Sequence, residues 1–213
     1  MKKTTVISII LIIISFLASA YFYYQIPGDI IASHWNAAGE VNGYMSKFIG
    51  LFLFPLIILC IYLLFLLIPK IDPLKENIKK FRKYYDSFIL IIMLFMTYVF
   101  GFTLAFNLGY KFNMTYAVIP AIGILFIYIG YILKFLKRNW FIGIRTPWTI
   151  SSEITWGKTH NLGSVLFKIS GISVLLGIFF EKYLLWFILI PTISSVIILF
   201  IYSYVVYKNI KKK

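Results

Sequence analysis

Apolar positions in this chain come in long unbroken runs separated by short polar stretches. The runs are Thr4–Tyr24, Phe48–Pro69, Ser87–Leu108, Tyr116–Leu133, Leu162–Phe180 and Tyr183–Tyr207. Each is close to the roughly 20 residues that a helix needs to cross the hydrocarbon of a bilayer. The pattern predicts an all-α, polytopic transmembrane bundle of six helices. The first run also has the layout of a signal peptide, with Lys2 and Lys3 ahead of it and Ala18-Ser19-Ala20 near its end. It continues through Tyr21 to Tyr24, an aromatic belt, and is read as an uncleaved helix.

Composition agrees with this pattern. Hydrophobic residues make up 61% of the 213, and charged residues only 13%. Mean hydropathy is +0.90. A soluble domain is nearer 45–50% apolar and about 25% charged. The excess excludes a soluble enzyme, a disordered chain and an ordinary nucleic-acid-binding domain. The lone cysteine, Cys60, lies in an apolar run and has no internal partner for a disulfide or a zinc cluster.

The net charge is +14, from 21 Lys and Arg against 7 Asp and Glu. In a membrane protein such a surplus reports topology, because basic loops stay in the cytoplasm. The N-terminus, the loops after the second and fourth runs and the C-terminal tail hold seventeen Lys and Arg, including Lys70, Lys79, Arg138, Arg145, Lys158 and Lys208. The opposite side holds only Lys47, Lys111 and Lys182. Both termini are therefore expected in the cytoplasm of a multi-pass cell-membrane protein. Lys168 falls inside the fifth run, where its long stem lets it snorkel.

Three regions follow from this layout. Residues 1–69 form a transmembrane hairpin with an outer cap loop. Residues 70–115 form a basic linker helix and the third span. Residues 116–213 hold the remaining spans and an inner loop. Asp72-Pro73 suits a helix start. Leu74, Ile78, Phe81 and Tyr85 then share one face among lysines, which fits a helix lying on anionic inner-leaflet lipid or a continuation of the third span.

Chemistry concentrates in two loops. The outer one, Gln25–Lys47, contains Asp29, His34 and Glu40, residue types that ligate metals, but at no spacing that makes a zinc site. Turn residues at Asn36 to Gly39 and at Asn42-Gly43 let Ile30–Trp35 pair with Val41–Met45 as a hairpin. His34, Trp35, Asn36, Glu40 and Tyr44 are its candidate contact residues. The inner loop, Arg138–His160, crowds three tryptophans, two arginines and a histidine together. Thr146-Pro147 and Ser152-Glu153 are each able to start a helix. Arg145, Thr146, Pro147, Trp148, Glu153, Trp156, Lys158 and His160 are candidate binding residues. An interfacial aromatic anchor accounts for the Trp residues but not for the run Gly143-Ile-Arg-Thr-Pro-Trp148. Nothing has the spacing of a catalytic triad, a phosphate loop or a metal centre, so neither enzymatic activity nor a cofactor is expected. Apart from Lys168 no ionisable residue is placed at mid-membrane, which disfavours ion-coupled transport. Asn113-Met-Thr115 matches a glycosylation sequon.

These loops resemble a known family. His34-Trp-Asn-Ala-Ala-Gly-Glu-Val-Asn-Gly-Tyr44 is similar to the uncharacterised membrane domain that often precedes SdpI-type proteins. The stretch from Asn139 to Gly163, with Gly-Ile-Arg-Thr-Pro-Trp-Thr and Trp-Gly-Lys-Thr-His at its core, resembles the hallmark segment of the SdpI family. The resemblance implies a bacterial membrane protein of toxin-immunity and signalling type. Its implied partners are an antimicrobial peptide outside and a cytoplasmic repressor protein inside, with no direct contact to nucleic acid. It carries over no catalytic residues. A small-molecule or lipid transporter is the alternative reading.

Overall fold

A computed structural model describes residues 3–211; Lys2, Lys212 and Lys213, counted above for topology, lie outside the described residues. The elements in order are α1 (Lys3–Gln25), β1 (Ile30–Trp35), β2 (Val41–Ser46), α2 (Lys47–Ile71), α3 (Lys75–Lys80), α4 (Arg82–Asn107), α5 (Met114–Leu133), α6 (Pro147–Ser151), α7 (Glu153–Gly177), a short 3-10 turn at Glu181–Tyr183, and α8 (Leu184–Lys211). The fold is all-α apart from one two-stranded antiparallel sheet between α1 and α2. Six helices are long. Five of these stretches are long and apolar enough to cross a membrane: α1, α2, α4, α5 and Glu181–Lys211. The sixth, α7, is 25 residues long, but it starts at Glu153 rather than Leu162 and its first turns carry Lys158, His160 and Asn161. Its polar half comes from the loop and its apolar half is the predicted fifth span.

The chain divides into two compact units. The first comprises residues up to Leu66 together with Ile89–Ala121. Its core joins Ile26, Ile31, Leu51, Phe100 and Leu104, so the hairpin contributes Ile31 directly to helix packing. Phe54 stacks on Phe100 with ring centroids 5.4 Å apart. Ser19, fully buried, donates to the Leu51 carbonyl at 2.7 Å. The Ala18–Ala20 segment is thus part of an unbroken helix that grips α2. Small side chains allow this approach, and the hydroxyl finds its acceptor in the neighbouring backbone.

The second unit comprises Leu67–Phe88 and Ile122–Lys213. In it α5 and α7 cross at glycines. A Cβ on Gly171 would lie 2.6 Å from the Gly123 carbonyl oxygen and 2.8 Å from the Ile127 amide nitrogen. Only hydrogen fits between these backbones. On its other face α7 meets α8 through small polar residues: Ser170 and Ser195 hydroxyls are 3.2 Å apart, and Ser173 donates to the Phe187 carbonyl at 2.9 Å. Tyr84 stacks on Phe135 at 4.0 Å.

The linker differs from the expectation of a membrane-surface helix. The helix is short, and Ile78, Phe81 and Tyr85 are each at most 2% exposed. Their face packs inside the protein and is not available to lipid. Pro73 precedes α3, whose N-cap is Leu74 with no side-chain cap. Asp72 instead closes a local turn by accepting the Leu74 amide at 2.6 Å.

The glycine crossing gives a direct test. Gly171→Val should destabilise the protein by about 1–3 kcal/mol, the usual cost of overpacking against atoms that cannot move. Gly101→Ala, where an added Cβ meets nothing within 4 Å, should be close to neutral. Unfolding of both variants in detergent checks the contrast.

Candidate functional site

The cap in the first unit is a hairpin held by its neighbours in the sequence-distant helices. Strand pairing runs from Ile30 opposite Ser46 to Trp35 opposite Val41, with register irregularities on either side of His34. The turn is built by Asn36. Its side-chain oxygen accepts the Ala38 and Glu40 amides, both at 3.0 Å, and its amide nitrogen donates to Glu40 at 3.0 Å. Gly39 takes the left-handed conformation that closes the turn (φ 81°). Asn42-Gly43, expected to be a second turn, is instead part of β2, and Gly43 does not have a positive φ. Its lack of a side chain serves packing: a Cβ there would lie 2.9 Å from the His34 Cβ.

Two asparagines tie the cap down. Asn107, at the end of α4, accepts the Ala32 amide at 2.8 Å and donates to the Ala32 carbonyl at 3.0 Å. Its side-chain amide thereby pairs with β1 as a neighbouring strand would. Asn113 donates to Ala38 at 2.7 Å, and Thr115 to Ala37 at 3.2 Å. The sequon residues are therefore occupied in holding the turn. Of the candidate contacts, Trp35 lies edge-on to Phe106 at 5.3 Å and Asn36 is spent on the turn. His34, Glu40 and Tyr44 are exposed. The His34 Nδ1 donates to Asn42 at 2.6 Å.

In the second unit the loop 134–152 is built around Asn139, which is wholly buried. Its oxygen accepts the Phe141 and Ile142 amides at 2.9 and 2.7 Å. Its nitrogen donates to the Lys137 and Ile142 carbonyls, both at 2.9 Å. Every hydrogen-bonding direction of a carboxamide is used. Asp72 reaches the same loop, accepting the Trp140 amide at 3.0 Å, and Asn77 donates to the Arg138 carbonyl at 2.9 Å. Both helix starts allowed by the sequence are used. Thr146 caps α6 in a reciprocal box with Thr149, Pro147 follows at the first position, and Ser152 caps α7 by accepting the Thr155 amide.

Trp156 and His160 lie one helical turn apart on α7 and stack at 4.0 Å. The indole donates to the Leu136 carbonyl at 2.9 Å. His160 Nδ1 donates to the Trp156 carbonyl at 2.8 Å, and Nε2 accepts the Ile144 amide at 3.0 Å. Donor and acceptor are both assigned, so the ring is neutral. Burial pulls its pKa down from 6.5 to about 4, opposed by the bond to the Trp156 carbonyl. Gly143 lies against it at φ 115°, and a Cβ there would collide with His160 Nε2. Thr146, Trp156 and His160 are thus framework, and His160 has no nitrogen free for acid–base work.

The exposed candidates are Arg145, Pro147, Glu153 and Lys158. Arg145 Nη1 donates to the Trp140 carbonyl at 2.7 Å. Glu153 is 3.9 Å from Arg138, not paired with Arg145. Trp148 packs on α8, 5.0 Å from Phe200 and 5.1 Å from Tyr204. An open cleft of about 480 Å³ is lined by Trp140, Arg145, Thr146, Pro147, Ile150 and Ser151. Trp140, Asn139 and Asp72 were not among the candidates drawn from the sequence. The signal for Asn139 was an Asn opening a glycine-containing loop, a common side-chain-closed turn. Among the described residues no cluster of His, Cys, Asp and Glu is arranged to hold a metal.

This architecture, apolar spans with a hairpin cap and a framed polar loop, matches known sequences. Residues 135–204 match the SdpI/YfhL protein family, and residues 10–59 match a domain of unknown function, DUF1648. The motif resemblance is thereby borne out at both loops. Over 209 residues the chain is 27% identical to Immunity protein SdpI of Bacillus subtilis (strain 168), covering 98% of each chain. No solved structure matches it significantly.

Two measurements test the frameworks. Asn107→Leu should destabilise the cap by about 1–3 kcal/mol, since it leaves the Ala32 amide and carbonyl without partners. Faster hydrogen exchange in Ile30–Trp35 is the expected readout. The second concerns pH. An unfolded chain protonates His160 below about 6.5, whereas the folded loop resists until about 4. Stability present above pH 6.5 is therefore lost as pH falls through this window, by on the order of 3 kcal/mol. His160→Gln should remove that part of the slope in unfolding curves taken between pH 7.5 and 4.5.

Proposed function

We propose that this chain is an immunity-type integral membrane protein that protects its cell from a membrane-active peptide. The observation that carries the reading is similarity to Immunity protein SdpI over 98% of both chains, which includes the cap and the framed loop alike. In this reading both termini face the cytoplasm and the cap faces out. His34, Glu40 and Tyr44 are the peptide contacts, because they are the exposed members of a cap that is otherwise fastened down. The 138–160 loop faces the cytoplasm, where Glu153 and Lys158 are open to a protein partner such as a repressor. The basic loops meet anionic inner-leaflet headgroups.

Expression in a sensitive host followed by challenge with purified membrane-active peptides tests the reading. Survival should rise with expression of the chain. The triple variant His34→Ala, Glu40→Ala, Tyr44→Ala should lose most of the protection at unchanged membrane levels. Full protection by that variant would remove the cap from the proposal. Orientation is tested separately in a Cys60→Ser background. A cysteine at Lys79 should react with an impermeant maleimide only after the cells are opened, and labelling of intact cells would reverse the assignment.

A further inference from the structure

We propose that the cleft beside α6 binds the phosphate of an anionic membrane lipid, with Arg145 as its anion-recognising group. The first argument is depth. α6 is fastened to α8 by Trp148 against Phe200 and Tyr204 and by Thr146 donating to Ser203 at 3.0 Å. The apolar stretch of α8 ends at Tyr207, and Lys208 begins the basic tail. At about 1.5 Å per residue, Phe200 and Lys208 are roughly 12 Å apart along the axis. The cleft therefore lies where α8 passes from hydrocarbon into headgroups.

The second argument is lining chemistry. The walls combine a cation with apolar surface, Arg145 with Trp140, Pro147 and Ile150, and include no carboxylate. Arg145 spends one N–H on the Trp140 carbonyl, which orients the guanidinium. Its remaining N–H groups have no hydrogen-bond partner among the described residues. A planar fork with free donors suits a phosphate. Trp140, 49% exposed, is the kind of ring that sits at the interface of a bilayer. A free anion would satisfy the arginine and leave those apolar walls wet, whereas a lipid satisfies both.

The third argument is preorganisation. Trp140 is held through its amide by Asp72 and follows the fully bonded Asn139. Arg145 lies between Ile144, whose amide is held by His160, and the Thr146 cap. Both walls are set before a ligand arrives, so binding costs little ordering. This inference stands apart from the immunity reading and does not depend on it.

Native mass spectrometry of the full chain in detergent tests the site, using phosphatidylglycerol, phosphatidylcholine and inorganic phosphate as probes. Wild type should retain one phosphatidylglycerol in preference to phosphatidylcholine. Arg145→Gln should weaken that binding about tenfold or more, as expected for loss of a charge-assisted fork, and Arg145→Lys should weaken it less. Ile150→Trp, which fills the cleft and keeps Arg145, should displace the lipid and so separates occupancy from any effect on folding. Lys182→Gln, the same change of charge at the other end of α8, should leave binding unchanged. Equal retention of the two lipids, or undiminished phosphatidylglycerol binding in both Arg145→Gln and Ile150→Trp, overturns the proposal. So does inorganic phosphate that binds at Arg145 without any lipid doing so, which would make this a soluble-anion site.

Discussion

Irregular backbone beside a membrane has little water to satisfy it, and this chain meets that constraint with a few buried or half-buried side chains that act as substitute backbone. Asn107 presents its carboxamide to β1. Asn139 does the same for the loop before α6. Asp72 and His160 each accept a loop amide. A buried amide or carbonyl left alone costs about as much as a strong hydrogen bond is worth. Remove these partners and neither the cap nor the loop has a reason to hold one conformation. The exposed residues proposed for contact are useful because the backbone under them is fixed in this way.

The spans and the hairpin were legible because period and hydropathy are strong signals. Ile30–Trp35 and Val41–Met45 pair as expected, and the structure adds only Ser46. What was not legible required distances across the sequence. Asn107 and Ala32 are far apart in the chain, and no local pattern announces their bond. Asp72 was visible as a turn former, but its second oxygen goes to Trp140, which only the fold could bring to it. Gly43 illustrates the opposite error. Asn-Gly is a strong turn signal, yet here the glycine is required by the nearness of His34 and the chain turns at Asn36 to Glu40.

The residues proposed for the inner loop divide by burial in a way composition does not reveal. Trp156 and His160 read as binding chemistry, and the structure spends both on holding Leu136 and Ile144. Arg145 reads as a binding candidate as well, and it remains exposed on the wall of a cleft. A helix carrying Glu153, Lys158 and His160 in its first half and glycines in its second also explains why α7 falls outside the simple hydropathy criterion while its apolar half still packs against α5 and α8.

The pairing of Asn107 with β1 has one more consequence, for assembly. Because the Ala32 amide and carbonyl turn away from β2 to reach Asn107, Tyr44 opposite turns its own amide and carbonyl away from β1. The β1 border is therefore blocked at Ala32, whereas no such block meets Tyr44 on the β2 border among the described residues. A sheet with two open borders can be extended without limit, whereas one with a single open border has a valence of one. A second strand is therefore favoured beside Tyr44 and opposed beside Ala32, which biases any strand-to-strand association of this protein toward a pair.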